Sequence, residues 1–433
     1  MTLSWVRRIS SVYHWIRKNS FSVNIGKNDR ANFEISVLIP VLGEMKILES
    51  TVEYFLENFN HFKKLKIYLI TTEKEYIYLK NNFSKNTIDI AKELEKKHKN
   101  ISHVHYLNMD GKMAHQLNFC IKKAISVGEI SANSIIAIYN ADSRPDKRTF
   151  DWVISERTRG YKVFQQYGNY LQNLESFKGF GRSMLLSAAI WQTRWSLGFE
   201  INNALKQFNP ITLFGRIFYP LNYCIGHGLF LTGDVYESIG GFNENMYNED
   251  AVLGLELSYI NEIINPIPFF DHSDTPDSVK SLYQQKTNWF FGPFQAFSYI
   301  KEIGKRKRIK INIFFLTSKL FLHSVYWILG PTIMFASILL SLFLLRVDYF
   351  LIDLLMAILF LTIPGLITWN VMGEIDWVPK INKKEVAFSL LKGSLGAYFL
   401  HGLSAYKALF SWIVGKILKR SIAKEKTFMR RAN

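Results

Sequence analysis

The chain has 433 residues, of which 48% are hydrophobic and 15% aromatic, and it carries a formal net charge of +17. This composition excludes a disordered polymer and is richer in apolar side chains than an average soluble protein. Two cysteines, Cys120 and Cys224, are too few for a disulfide framework or a cysteine-based metal site. We therefore expect a folded protein with reduced, buried thiols, long enough for one large domain and a second region.

Three short segments hold most of the positive charge. Residues 1–20 carry +4, residues 301–310 carry +5 and residues 416–431 carry +6. The first segment is also amphipathic, and the other two flank long apolar stretches. This pattern is typical of attraction to an anionic membrane surface, whereas a nucleic-acid binder spreads its basic residues over the folded domain. We predict a lipid bilayer as a partner, no nucleic acid, and a membrane-surface helix within residues 1–30.

The part of the chain before residue 310 alternates between short apolar runs and amphipathic segments. The spacing predicts strands at 35–39, 66–70 and 134–138, and helices at 46–59, 85–99 and 113–127. This alternation implies an α/β fold with a doubly wound, mostly parallel sheet and right-handed crossovers. Residues 183–205 form an aromatic amphipathic stretch that either packs under the sheet or contacts the membrane interface.

Residues 311–433 form the predicted membrane region. Residues 320–345 and 349–372 each contain one ionisable side chain and are long enough to cross a bilayer. Because basic flanks stay cytoplasmic, the two spans are expected to form a hairpin, with the preceding domain on the cytoplasmic face of the cell (inner or plasma) membrane. Residues 386–415 have basic flanks on both sides, which favours an interfacial or re-entrant helix over a third span.

The predicted strand at 134–138 ends in the turn Tyr139-Asn-Ala-Asp-Ser-Arg-Pro145. Open α/β sheets bind ligands at the carboxyl edge of their strands, so this turn delivers the Asp142 carboxylate to a ligand-binding edge. Hard cations prefer oxygen ligands, and Asp142 is therefore the predicted ligand of Mg²⁺ or Mn²⁺. An ordinary Asp-rich turn after a strand is the alternative for this segment taken alone.

Further segments with chemical side chains follow in a fixed order. These are Pro40-Val-Leu-Gly-Glu44, Gly111-Lys112, Gly226-His-Gly228, Asn248-Glu-Asp250 and Gln285-Lys-Thr-Asn-Trp289. Together with the Asp142 turn and the two apolar runs, this order resembles the membrane-attached inverting family 2 glycosyltransferases, from residue 34 to about 372. The resemblance implies a GT-A fold, with a Rossmann-like sheet, for a catalytic domain at residues 31–310.

The resemblance assigns a set of residues to the nucleotide-sugar donor. Pro40 and Glu44 are expected to line the nucleotide pocket, and Lys112 to lie near the nucleotide. Relatives often have an acidic pair after the second strand. This chain has Thr71-Thr-Glu73 there, which leaves Glu73 as the substitute and the nucleotide undefined.

The resemblance also places Asn140-Ala-Asp142 at the D-x-D position, where Asp142 would bind the metal and diphosphate of the donor. Asn140 is a departure, because many relatives carry a carboxylate there. Loss of a nucleoside diphosphate builds negative charge on the leaving phosphate, which a divalent ion and a cation such as Lys112 or Arg144 would stabilise.

On the acceptor side, Glu249-Asp250 matches an acidic motif whose second carboxylate is the base, here Asp250. Attack by an acceptor hydroxyl needs such a carboxylate within hydrogen-bond reach. The alternative is that Asp250 is a helix-start acid stabilised by the helix dipole. His227, between two glycines, is expected to form a hydrogen bond near the acceptor or the sheet.

Gln285 and Trp289 match the ends of the Q-x-x-R-W motif, which lies on the acceptor and pyrophosphate side and is typical of processive synthases. Asn288 replaces the arginine of that motif and removes a permanent cation.

The leading prediction is an enzyme that moves a sugar, with inversion, from a nucleotide sugar to a hydroxyl of a glycan or lipid-linked glycan in cell-surface polysaccharide or glycoconjugate synthesis. The alternatives are transfer to a polyprenyl phosphate, processive polysaccharide synthesis, or a non-catalytic membrane assembly protein. A transporter is disfavoured, because the apolar segments lack paired broken helices.

Overall fold

A computed structural model describes residues 2–20, 32–78, 86–208, 224–305 and 311–418. Most of the basic residues of the second and third charged segments therefore fall outside the described residues.

Within the described residues, eight strands form one sheet. They are β1 (Ile35–Pro40), β2 (Leu65–Thr72), β3 (Ile101–Tyr106), β4 (Ile135–Ile138), β5 (Arg144–Pro145), β6 (Val163–Asn169), β7 (Leu229–Thr232) and β8 (Ile264–His272). The strand order is β3-β2-β1-β4-β7-β6-β8-β5. The first four strands are parallel, β7 is antiparallel to both of its neighbours, and β6 and β8 are parallel.

The helices of the catalytic region surround this sheet. They are α1 (Thr2–Asn19), α2 (Leu48–Phe59), α3 (Glu75–Tyr78), α4 (Thr87–Lys97), α5 (Met113–Ser126), α6 (Thr149–Thr158), α7 (Arg182–Trp195), α8 (Asn202–Lys206), α9 (Gly233–Ile239), α10 (Glu249–Ile260), α11 (Val279–Phe294) and α12 (Ala296–Gly304). A π-helical turn, Ser196–Ile201, joins α7 to α8. The helices α13 (Ile311–Phe343), α14 (Val347–Leu361), α15 (Ile363–Ile375) and α16 (Lys383–Ile417) follow.

The predicted α/β class with a mostly parallel sheet is confirmed. Helices cover both faces of the sheet: α2 and α6 pack on one face with Phe55, Phe59 and Phe150, and α5 packs on the other with Leu117 and Ile121. The sequence prediction missed β3, because its alternating histidines do not read as a buried strand. Both cysteines are buried free thiols, as predicted.

The N-terminal helix α1 is amphipathic, as predicted, but protein covers its apolar face. Ile9, Val12 and Ile16 are buried in a cluster that includes Trp369 and Met372 of α15. Contact of α1 with a membrane surface stays a prediction, and it would use side chains on the other faces of the helix.

The aromatic stretch at 183–205 is buried, which confirms the first of the two alternatives for it. It forms α7, the π-helical turn and α8, and α7 packs along α16. At the crossing, a Cβ on Gly393 of α16 would lie 2.1 Å from the carbonyl oxygen of Ser183. Only glycine allows the two helices to approach this closely.

In the described part of the chain, two helical runs are long and apolar enough to cross a membrane, Ile311–Phe343 and Val347–Ile375. They agree with the two predicted spans and suggest membrane association. The second run is interrupted at Thr362, where α14 ends and α15 begins. Helix α14 extends into an exposed apolar hairpin with α13, whereas α15 packs against α1 and α7. The predicted segment at 386–415 lies within one continuous helix, α16, without a re-entrant break.

The hairpin contains one polar cluster. The hydroxyls of Ser337 and Ser341 on α13 donate to Oδ2 of Asp353 on α14, at 2.7 and 2.9 Å. We expect the double substitution Ser337→Ala with Ser341→Ala to destabilise the detergent-solubilised protein by about 1–2 kcal/mol, because it leaves a carboxylate without donors in an apolar hairpin. Thermal unfolding measures the effect. Ser318→Ala is the matched control, since this exposed serine bonds only within its own helix, and an equal shift in the control would contradict the prediction.

Candidate active site

The candidate site lies at the carboxyl edge of β1, β2 and β4. These strands are adjacent and parallel, so their carboxyl ends meet. This edge brings together the segments that follow Pro40, Thr72 and Tyr139, as the sequence predicted. The backbone N–H of Val41 donates to the carbonyl of Ile70, and that of Tyr139 to the carbonyl of Leu38, which extends the ladder into the loops.

Glu75 holds together the loops on the β1–β2 side of the site. Its carboxylate is fully buried and accepts from the backbone N–H groups of Gly43, at 3.3 Å, and Thr87, at 2.6 Å. The backbone N–H of Glu44 donates to the hydroxyl of Thr87. Glu73, the predicted donor residue, instead lies 3.5 Å from Nε2 of His105. Glu75 is thus the buried acid of this segment, and the sequence alone did not separate it from Glu73.

The turn after β4 is fixed by short hydrogen bonds. The backbone N–H of Asn140 donates to the hydroxyl of Ser143, at 3.2 Å. The backbone N–H of Asp274 donates to Oδ2 of Asp142, at 3.3 Å. Asp142 therefore lies between the end of β4 and the segment after β8.

Asp271, near the end of β8, is the organising carboxylate of the site, and the sequence analysis missed it. It is fully buried. The Ser143 hydroxyl donates to its Oδ2 at 2.7 Å, and the Arg144 backbone N–H donates to its Oδ1 at 2.9 Å. Oδ2 also accepts from the Ser273 hydroxyl and pairs with Nδ1 of His227, at 2.8 Å. Asp271 thereby connects the Asp142 turn to the Gly226–Gly228 loop.

His227 confirms the expectation of a hydrogen bond near the sheet. Burial lowers the pKa of its imidazole, but the hydrogen bond and charge of Asp271 outweigh burial, and the pKa is raised overall. Its Nε2 lies 3.3 Å from the hydroxyl of Tyr170. Gly228 has φ +63°, and a Cβ there would lie 2.6 Å from the carbonyl oxygen of Gln166. The Gly-His-Gly sequence therefore allows the loop to pass close to β6.

The other carboxylate, Asp250, lies in the first turn of α10. Its Oδ1 accepts from the backbone N–H of Ala251 at 2.8 Å, and a Cβ on Gly226 would lie 3.6 Å from its Oδ2. Glu249 precedes it and is buried. The Gly226–Gly228 loop is thus flanked by Asp250 at one end and, through His227 and Asp271, by the Asp142 turn.

Two predicted donor cations bind protein groups in this structure. The Lys112 ammonium donates to the carbonyls of Asn245 and Met246, both at 3.1 Å. The Arg144 guanidinium donates to the hydroxyls of Thr51, at 2.7 Å, and Ser50, at 3.0 Å, on α2. Lys112 thereby fixes the turn before Asp250, and Arg144 fixes the turn after β4. Contact of either with a leaving diphosphate stays a prediction.

The segment that resembles Q-x-x-R-W forms part of α11. Asn288 accepts from the hydroxyl of Tyr247 at 2.9 Å, so it stabilises the loop that leads into α10. The Oε1 atom of Gln285 is buried without a hydrogen-bond partner among the described residues. The ring of Trp289 lies 4.1 Å from Nζ of Lys286.

Glu200, in the π-helical turn, is a buried acid that the sequence analysis did not single out. Burial raises its pKa to about 7, and the nearby charge of Asp250 also raises it. Its Oε2 accepts from the hydroxyl of Ser196 at 3.1 Å. π-Helical turns often occur at functional sites, and this one places an acid near both Asp250 and His227.

The Asp142 carboxyl has an unusual environment. Burial raises its pKa to about 6, and the neighbouring carboxylate of Asp274 raises it further. Within the described residues, the side chains do not assemble three acidic, histidine or cysteine ligands around one point. The local donors are nevertheless hard oxygens, which are the type that Mg²⁺ and Mn²⁺ prefer.

Comparisons with known proteins give a family and a set of distant structural likenesses. Residues 206–370 match the sequence profile described as glycosyl transferase family group 2, which confirms the predicted family over that segment. No curated protein matches the chain.

Two of the similar solved structures cover most of the chain. The mannosyltransferase PcManGT from Pyrobaculum calidifontis, in complex with GDP-Man and Mn²⁺, is 12% identical over 94% of this chain and 96% of its own, with a TM-score of 0.46. TarS residues 1–349 from S. aureus, in complex with UDP-GlcNAc, is 11% identical over 87% of this chain and 92% of its own, with a TM-score of 0.40. At these TM-scores the likenesses carry no argument about ligands.

Proposed function

We propose that this family 2 glycosyltransferase transfers a sugar from a nucleotide-sugar donor to a hydroxyl of a glycan or lipid-linked glycan, with inversion. The observation that supports this most is the pair of carboxylates around one loop. Asp142 lies at the carboxyl edge of the sheet, where α/β folds bind nucleotides. Asp250 lies at the opposite end of the Gly226–Gly228 loop, where an acceptor would be placed.

In this proposal the residues after β1, β2 and β4 bind the donor. Pro40, Glu44 and Glu73 lie around the nucleotide pocket, and Asp142 faces the diphosphate. A divalent ion bound there would neutralise charge on the leaving diphosphate. Asp142 would hold it, with Asp274 as a neighbouring oxygen donor, because a cation between two adjacent carboxylates removes their repulsion. Asn140 adds no charge to this set.

On the acceptor side, Asp250 accepts the proton of the attacking hydroxyl. Inversion requires attack from the face opposite the leaving group, and the separation of the two carboxylates by a glycine-flanked loop suits that arrangement. His227, Gln285 and Trp289 complete this side of the site, Trp289 as an aromatic surface for a sugar ring. Asp271 acts through His227 and the Asp142 turn, so we assign it a positioning role.

The membrane part of the proposal rests on the exposed apolar hairpin. An apolar surface of this extent is typical of a membrane-contacting segment. We propose that residues 31–310 form the catalytic domain on the cytoplasmic face of the cell membrane and that residues 311–433 attach it.

Release of nucleoside diphosphate tests the enzyme assignment. The purified full-length chain, in detergent, is incubated with a panel of nucleotide sugars and acceptor glycans, with Mg²⁺, with Mn²⁺ or with a chelator. We expect release only with a divalent ion, and a loss of at least about 10²-fold in Asp142→Asn. Asp234→Asn is the matched control: Asp234 is paired with Lys162 at the sheet edge opposite the site and should retain activity. Full release by Asp142→Asn or by the chelated enzyme would refute the assignment.

Stability gives a readout of the same site that does not depend on activity. Because burial and Asp274 raise the pKa of Asp142 to about 6, ionising this group at neutral pH costs the folded state free energy. Stability of the metal-free protein should therefore rise as pH falls through about 6. Asp142→Asn should raise the unfolding temperature at pH 7 in a chelator and remove stabilisation by Mn²⁺. An unchanged response to Mn²⁺ in the variant would place the metal elsewhere.

A further inference from the structure

Arg194 is a buried cation for which the proposed mechanism has no use. Its residue is 7% exposed, and its Nε and Nη1 atoms are buried without a hydrogen-bond partner among the described residues. The guanidinium lies 4.8 Å from the ring centroid of Trp5 and 5.0 Å from that of Trp191. Two aromatic faces offset part of the desolvation of the charge, but they satisfy none of its N–H donors.

Lys286 is a second cation in the same helical layer. Its ammonium donates to the neutral amide oxygen of Gln192, at 3.1 Å, and lies over Trp289. Burial lowers its pKa to about 7, and Glu200 partly offsets that effect. Its hydrogen-bond acceptor, Gln192, lies two residues before Arg194 on α7.

The two cations converge on one side of α16. The His401 imidazole is buried there, and its pKa is lowered by burial and by the charges of both Lys286 and Arg194. Tyr398, one turn earlier on α16, packs edge-on against Trp191. Within the described residues the cations therefore face aromatic and neutral groups and, on the Lys286 side, Glu200.

This cluster lies where the apolar hairpin meets the catalytic domain. The indole N–H of Trp191 donates to the carbonyl of Leu361, the last residue of α14, at 3.2 Å. The exposed apolar part of the hairpin lies on one side of this point, and α15 packs on protein on the other. Lys286 leads in turn towards Glu200 and Asp250. The cluster thus lies between the expected depth of lipid headgroups and the proposed catalytic base.

We propose that Arg194 and Lys286 form a binding site for the phosphate or diphosphate of a lipid carrier that bears, or is, the sugar acceptor. A guanidinium binds phosphate oxygens through two parallel N–H donors, and Nε with Nη1 is one such pair. Trp5, Trp191 and Tyr398 form the apolar walls through which a lipid chain would leave towards the hairpin. The acceptor role rests on the proposed function, whereas binding of a lipid phosphate does not.

Binding of farnesyl phosphate and farnesyl diphosphate to the full-length protein in detergent tests the site. Tryptophan fluorescence reports it, since Trp5 and Trp191 flank Arg194. We expect binding to weaken about 10-fold or more in Arg194→Met, less in Arg194→Lys, and not at all in Arg182→Gln. Arg182 is the matched control, because it lies on the same helix but pairs with Glu385 at the surface. Equal affinity in Arg194→Met, or farnesol binding as tightly as farnesyl phosphate, would overturn the proposal.

Two further arms separate the alternatives. Inorganic phosphate should compete weakly, and vesicles of phosphatidylglycerol should not displace farnesyl phosphate. Displacement by these vesicles at equal lipid phosphate would assign the site to bilayer headgroups and overturn the carrier assignment. Arg194→Met should unfold at the same temperature as the unmodified protein or higher without lipid, because it removes an unpaired buried charge. A large decrease would show a structural role instead.

Nucleotide-sugar binding, measured on the same preparations, keeps the two proposals distinct. Retained nucleotide-sugar binding with no binding of farnesyl phosphate would end the lipid-phosphate site alone. Arg194-dependent binding of farnesyl phosphate without any nucleotide-sugar binding would end the proposed function alone.

Discussion

Replacing Asp250 with asparagine is expected to lower kcat for sugar transfer by about 10²–10⁴-fold, the usual contribution of a general base. The change keeps the shape of the side chain, and the new amide oxygen still accepts from the backbone N–H of Ala251. Asparagine cannot accept the proton of an attacking hydroxyl, so the fold should persist while the chemical step fails. KM for the donor should change little, because the donor binds at the Asp142 side.

The measurement is kcat and KM for nucleoside diphosphate release with a defined hydroxyl acceptor, with Asp234→Asn as the control. Asp250→Glu adds a second comparison, since it retains the carboxylate but displaces it. Full activity in Asp250→Asn together with an inactive Asp142→Asn would contradict the base assignment. That outcome would indicate an acceptor that is already ionised, such as a polyprenyl phosphate, which needs no base.

Replacing Asp271 with asparagine is expected to lower the free energy of unfolding by about 3–5 kcal/mol, the usual effect of breaking a buried ion pair. Asp271 is fully buried against His227, Ser143 and the backbone of Arg144. An uncharged amide leaves the imidazole without its counter-ion and loosens the Asp142 turn. Activity should fall as well, since both ends of the proposed site depend on this carboxylate.

The pH dependence of that loss identifies its cause. The pKa of His227 is raised in the folded state, chiefly by Asp271 acting against burial. The stabilisation it contributes is fully present below the unfolded pKa of about 6.5 and is lost as pH rises through the folded pKa. The stability difference between the unmodified protein and Asp271→Asn should therefore shrink from pH 6 towards pH 9.

Denaturation of the detergent-solubilised chain across this pH range measures the difference. Ser273→Ala is the matched control, because it removes one hydrogen bond to Asp271 but leaves the ion pair, and it should cost about 1 kcal/mol at every pH. Parallel stability curves for the unmodified protein and Asp271→Asn would contradict the proposed role of the pair.

Much of the framework follows from local pattern. The strands β1, β2 and β4 are apolar runs with turn residues after them, and their helices show the expected periodicity. The Asp142 turn follows directly, because any carboxylate after a parallel strand lies at the ligand-binding edge. The two apolar runs after residue 310 are recognisable from length and composition. The later strands were harder, because β6 and β8 carry buried polar residues such as Gln165 and Asp271 that interrupt an apolar pattern.

What the amino-acid sequence determined by itself was the α/β alternation, the order of the motifs and the apolar hairpin, since each depends on residues close together in the chain. Only the tertiary structure decided which charges meet. Asp271 and His227 are 44 residues apart and form a pair, and Lys112 binds carbonyls more than 130 residues away. Arg194 is recognisable as an unpaired cation only after α7 is buried against its neighbours. The free energy of a charge depends on its partners and its burial, and both are set by contacts between distant parts of the chain.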